Sequence, residues 1–110
     1  MDNDRFSQML SAVAELHQKH DFRGRGGEEL TYRITLMTEE LGEIAACVSK
    51  GKPAAELAEE CADLLILLLG TALSARFDLS QAFWAKMTAL KDRESRLIDG
   101  RVRLFRKEAP

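Results

Sequence analysis

Directly after Asp63 the chain enters its longest apolar run, LLILLLG from Leu64 to Gly70, which reaches about Leu73. A helix built from this segment is apolar on every side and has to be covered all round. The run is far short of the roughly 20 residues that span a bilayer. It therefore marks the centre of a helical bundle, with the other helices arranged to cover it. Asp63 stands at the edge of that buried segment, and Glu60 precedes it by one helical turn.

The rest of the chain agrees with a helical fold. Helix breakers are scarce, since Pro53 and Pro110 are the two prolines. The charged fraction of 31% exceeds the roughly 25% of an average domain and is carried with Ala and Leu, a helix-forming composition. Phe6, Met9, Leu10, Val13 and Leu16 recur at helical spacing and predict a first helix from about Asp4 to Lys19, capped by Asn3 or Asp4. The stretch DFRGRGG, residues 21–27, predicts a flexible loop. Leu30, Ile34, Met37, Leu41, Ile44 and Val48 form a 4-3-4-3-4 stripe, so a second helix from about Glu28 to Lys50 is expected to pack through it. Gly51 and Pro53 stop that helix and start a third, which carries the apolar run to about Arg76. A fourth helix is expected from near Asp78 or Ser80 to Leu97, with Leu79, Phe83, Met87 and Leu90 along one side. The expectation is an all-α chain in an antiparallel four-helix arrangement. Residues 1–98 form its single helical domain, and 99–110 form an unassigned tail docked by Val102, Leu104 and Phe105.

Several function classes are disfavoured. The net charge of -2 gives a weak footprint for nucleic acid, although the bases gather between Lys86 and Lys107. Cys47 and Cys61 have neither zinc spacing nor the numbers for a disulfide framework, and read as small buried hydrophobes. The polar start MDNDRFSQ does not resemble a secretory signal, so a cytoplasmic, membrane-free protein is expected.

The acids are informative. Glu40 and Glu43 are three residues apart and share a helix face, as do Glu60 and Asp63. The sixteen residues 44–59 separate the pairs, about two turns out and two turns back around a tight turn at Gly51. The four carboxylates therefore face one another at similar height. Two unit charges about 4 Å apart repel by roughly 4 kcal/mol at an effective dielectric near 20, so such a group needs protons or a cation. All-oxygen ligands favour Mg²⁺, Mn²⁺ or Ca²⁺ over zinc. A di-iron site of the ferritin kind would want Glu-x-x-His pairs, and position 46 is Ala while position 63 is Asp. A lone Glu-x-x-Glu is usually a solvated face. Two such pairs on adjoining helices beside a wholly apolar segment reverse that judgement.

At these residues the chain resembles the MazG-like all-α nucleoside triphosphate pyrophosphohydrolases. Their signature EExxE, a variable spacer and ExxD is matched here by Glu39-Glu40-Leu41-Gly42-Glu43 and Glu60-Cys61-Ala62-Asp63. The likeness runs from about Leu30 to Arg93 and includes the apolar run and a following helix with Lys86 and Arg93. It implies cleavage of a nucleoside triphosphate between the α and β phosphates, giving monophosphate and pyrophosphate. It also implies that Glu40, Glu43, Glu60 and Asp63 hold Mg²⁺, for which Mn²⁺ can substitute. Glu39 would then support these ligands, bind a further ion or orient the attacking water. Many relatives carry Asn four residues after the lysine matched by Lys86, where this chain has Leu90.

Lys86 and Arg93, seven residues apart, would share a face of the fourth helix and meet the phosphates. His17, His20, Phe22, Tyr32 and Trp84 are candidates for contact with a base. The apolar run is more than one hairpin and two flanking helices cover, so a homodimer or dimer of dimers is expected. The rival readings are a phosphoribosyl-ATP pyrophosphohydrolase, similar in fold and acidic motifs, and a non-catalytic helical dimerisation module.

Overall fold

A computed structural model describes residues 4–107 and divides into two compact units, the first running to Phe77 and the second starting at Asp78. The first unit holds α1 (Arg5–Lys19), α2 (Leu30–Ser49) and α3 (Ala54–Ala75). The Asp4 carboxylate caps α1 by accepting from the Ser7 N–H at 2.8 Å, a bond of a kind that contributes about 1 kcal/mol. α1 packs on α3 through a face on which Val13 and His17 are buried. The 21–27 segment is wound into turns: the Gly27 and Phe22 N–H groups donate to the Phe22 and His17 carbonyls at 2.7 and 2.9 Å.

α2 closes on Gly51 at φ +62°. The Gly51 N–H donates to the Val48 carbonyl and the Lys52 N–H to the Cys47 carbonyl. These paired bonds are the Schellman arrangement, which favours glycine at the left-handed position. The turn sends α3 back along α2. Arg33 then meets Thr71 while Glu40 meets Glu60, an antiparallel pairing.

The face of α2 that packs differs from the expected seam. Arg33 is buried, and Leu36, Met37, Glu40, Ile44 and Cys47 are half-buried. Of the expected stripe, Ile34, Leu41 and Val48 are each about 60% exposed, and Leu30 is exposed as well. Apolar residues occupy more than one side of α2, and the pairing with α3 selects the side that also carries Arg33 and Glu40. On α3, Leu69, Gly70 and Ala72 are buried, whereas Leu65, Ile66 and Leu68 are exposed.

The second unit corrects the all-helical expectation. α4 spans Leu79–Lys91, capped by Asp78, and does not continue to Leu97. The chain goes on as β1 (Glu94–Ile98) and β2 (Arg101–Phe105), an antiparallel pair with Ile98 opposite Arg101. Asp99 and Gly100 join the strands at φ 53° and 77°. Two successive positive φ values are the turn geometry that matches strand twist, and Asp-Gly is a pair that adopts it readily. Every strand residue except Phe105 is exposed, and the Arg96 guanidinium lies 4.7 Å over the Phe105 ring. Among the described residues no helix is long and apolar enough to cross a membrane.

Candidate metal centre and its supporting cluster

The α2–α3 hairpin brings Glu40, Glu60 and Asp63 together. One carboxylate oxygen from each lies within 4.8 Å of the other two. Glu40 and Glu60 are half-buried and Asp63 is exposed, so the trio is open to solvent on the Asp63 side. Burial raises the Glu60 carboxyl above the ordinary glutamate value, helped by the Glu40 carboxyl facing it and by the charges of Glu40, Glu43 and Asp63. The Glu40 Oε2 is buried without a hydrogen-bond partner. A buried carboxylate oxygen without a donor is costly. An oxygen-only donor set of this size fits a hard divalent cation, which would satisfy the orphaned oxygen and cancel the mutual repulsion.

A cleft of about 320 Å³ opens beside the trio. Glu40 and Asp63 line one part of it, and His17, Phe22 and Arg33 line another, with Leu36 and Ile66 among the apolar walls. Arg33 is 1% exposed. Its Nε donates to Thr71 Oγ1 at 2.9 Å, its Nη1 to the Gly27 carbonyl at 3.0 Å and its Nη2 to the Leu67 carbonyl at 2.8 Å. Burial lowers the pKa of this guanidinium, and the charge of Glu28 opposes that shift. The arginine remains a cation all the same. Beside it His17 is buried, its Nδ1 3.4 Å from Glu28 Oε2 and its ring 4.4 Å from that of Phe22. Gly70 makes room for both side chains. A Cβ there would meet Arg33 Nη2, and would sit 2.6 Å from His17 Nε2.

The other residues singled out from the sequence stand apart from the trio in different ways. Glu43 is exposed and contributes no oxygen to it, though its charge acts on Glu60. Glu39 is exposed. Lys86, exposed, and Arg93, half-buried, belong to the second unit. α4 ends at Lys91, so Arg93 lies beyond it and the two-turn argument for a shared helix face does not apply. Of the aromatic candidates, His17 and Phe22 line the cleft, while Tyr32 and Trp84 are exposed. Cys61 is exposed rather than buried, and Cys47 is half-buried. The Cys47 thiol is pushed up by burial, then by the charges of Glu60 and Glu56, which disfavours the nucleophilic thiolate.

Arg33 and Gly70 carry little signal in the sequence. The available signal was a charge on the inward side of α2, one turn after Leu30 and one before Met37.

The family model of the MazG nucleotide pyrophosphohydrolase domain matches residues 28–97, a span that contains α2, α3, α4 and most of β1. No curated protein and no solved structure matches the chain.

Proposed function

Since the chain belongs to the MazG nucleotide pyrophosphohydrolase family, we propose that it hydrolyses a nucleoside or deoxynucleoside triphosphate to the monophosphate and pyrophosphate with Mg²⁺ or Mn²⁺. The observation that carries this reading is the convergence of Glu40, Glu60 and Asp63 within 4.8 Å around a buried, unpaired carboxylate oxygen. In this reading Glu40, Glu60 and Asp63 would hold the cation, with Glu43, one turn along α2, as a fourth ligand. A bound divalent ion supplies polarisation of the phosphoryl oxygens and acidification of a water. Glu39 accepts the proton of the water that attacks phosphorus as the bridge between the α and β phosphates breaks, and pyrophosphate leaves. The cleft beside the trio takes the nucleoside, with Phe22 offering a ring face and His17 a polar edge. Lys86 and Arg93 supply cations for the phosphates.

The chain also associates with itself in this reading. Val13, Leu69 and Ala72 are the buried hydrophobic residues among those described, a small core for a chain of this length. Ile34, Leu41 and Val48 repeat every seven residues along the outside of α2, the spacing of a helix-to-helix seam. A homodimer, or a dimer of dimers, covers that stripe; a monomer by light scattering at micromolar concentration overturns this part.

The deciding experiment is a panel of nucleoside triphosphates, deoxynucleoside triphosphates and phosphoribosyl-ATP, incubated with Mg²⁺ and resolved for products. Monophosphate and pyrophosphate are expected, and their formation stops in chelator. Orthophosphate with a diphosphate would place the cleavage elsewhere and end the proposal. A preference for phosphoribosyl-ATP would select the sister activity. No turnover and no metal-dependent stabilisation would leave the dimerisation module.

A further inference from the structure

We propose that Arg33 is a positioning residue: its buried fork sets the register of α2 against α3 at which Glu40, Glu60 and Asp63 converge. The inference rests on reading that trio as a metal site. Three acceptors from separate parts of the unit take its N–H groups: the Gly27 carbonyl in the loop before α2, and the Leu67 carbonyl and Thr71 hydroxyl on α3. No carboxylate lies within ion-pair distance of it among the described residues. Removing the fork alone leaves three acceptors short of a donor and costs stability, but adhesion between the helices does not by itself call for an arginine, because a wholly apolar packing of the same space would hold them without burying a charge. What the guanidinium adds over a leucine is direction. Its planar donors satisfy all three acceptors at one rotation and one offset of the helices.

The geometry makes that direction matter at the acids. Glu40 lies two turns beyond Arg33 on α2, about 10 Å along the axis, and Asp63 lies one turn before Leu67 on α3. Slipping one helix by a single residue turns its side chains by about 100° and removes an acid from the group. The acids cannot set this register themselves, because they repel. Among the described residues, and apart from contact between the acids, the hydrogen bonds from α2 to α3 all pass through Arg33 or Thr71, including the one from the Thr71 hydroxyl to Met37 Sδ. Gly70 leaves the space the fork occupies.

The test uses Mn²⁺ alone as the probe, titrated into the full chain and read by electron paramagnetic resonance, with circular dichroism and thermal melting alongside. Arg33→Met keeps length and loses the fork. It is expected to remain helical, to melt lower and to bind Mn²⁺ at least about tenfold more weakly, the size of effect that loss of a ligand's supporting partner has. Arg33→Lys keeps the charge without the three-way reach and is expected to fall between. Thr71→Val, nearly isosteric, removes one acceptor and is expected to weaken Mn²⁺ several-fold; it carries the test if Arg33→Met does not fold. A lower melting point with wild-type Mn²⁺ affinity in the folded variants would mean a purely structural arginine and overturn the proposal. Full affinity in Arg33→Lys would overturn it too, because charge alone would then suffice. Failure of the wild-type chain to bind Mn²⁺ at millimolar concentration would instead remove the metal reading itself.

Discussion

Two polar clusters lie within about two turns of each other on the α2–α3 hairpin, and they treat charge in opposite ways. The Arg33 cluster buries a cation and gives three of its N–H groups to nearby oxygens. The Glu40 cluster gathers anions and leaves the Glu40 Oε2 without a donor. A satisfied buried group is part of the scaffold. An unsatisfied one, in a chain that solves the same problem well one cluster away, is what the proposed cation would satisfy. The comparison predicts that changes at the acids affect activity and spare the fold, and that changes at the arginine end affect the fold first.

The largest separation of the two is expected from Glu60→Gln. It removes a charge and keeps the shape, and turnover should fall at least about 100-fold, the upper end of what even a supporting partner of a metal ligand costs, with the helical spectrum unchanged. Near-wild-type turnover would strike Glu60 from the ligand set. Next in size is Gly70→Ala. The added Cβ presses on Arg33 Nη2 and His17 Nε2, and overpacking of this kind costs about 2 kcal/mol. Denaturant unfolding that matches wild type would mean the cluster yields freely and is no scaffold. Lys86→Ala and Arg93→Ala should raise KM several-fold with kcat little changed if the two residues grip phosphate equally in ground and transition state. Unchanged parameters in both variants would return them to the solvated surface.

The smallest effect concerns stability and pH in chelator. Glu60 holds its proton more tightly in the folded chain than in the unfolded one. The folded state therefore binds more protons, and stability falls as pH rises from the ordinary glutamate range through the raised folded value. Glu60→Gln should flatten that fall and melt slightly above wild type without metal. Saturating Mg²⁺ should reverse the order by mass action on the native wild-type chain. Melting curves of the two proteins across this range, with and without Mg²⁺, check both signs; a wild-type melting point that rises with pH in chelator would contradict the crowding of the acids.

Much of this was legible in the sequence, for identifiable reasons. The tight turn at Gly51 and the three-residue spacing of the acids bring Glu40, Glu60 and Asp63 together, but the same geometry also put Glu43 in the group, and its carboxylate contributes no oxygen to it. The N-cap of α1 and the boundaries of α2 and α3 follow from local chemistry. The hairpin carried two sequence signals, the charged–apolar alternation of Arg101-Val102-Arg103-Leu104 and the Asp99-Gly100 turn pair, but both are short and directly follow a helix-forming stretch, and the strands bury almost nothing that would fix a sheet face. The packed face of α2 departs from the expected seam because Ile34, Leu41 and Val48 repeat more regularly than the residues on the side that α3 covers. A side with an arginine and a glutamate in it does not look like an interior until its partners are placed. Arg33 itself depends on Gly27, Leu67 and Thr71, contacts that no local pattern encodes.

The left-handed glycine that ends α2 has a consequence for how such a chain tolerates insertions and deletions. Residues added at the turn, between Lys50 and Pro53, lengthen the loop and leave both helices in phase. One residue removed from the arm between Glu43 and Ser49, or between Ala54 and Glu59, rotates every side chain on one side of the cut by about 100° relative to the other. Length is therefore elastic at the bend and quantised in the arms, where only whole turns, about four residues taken from both arms together, keep the acids facing at one height. Single-residue deletions within either arm are expected to abolish Mn²⁺ binding, insertions at the bend to leave it, and matched removal of about one turn from both arms to restore it.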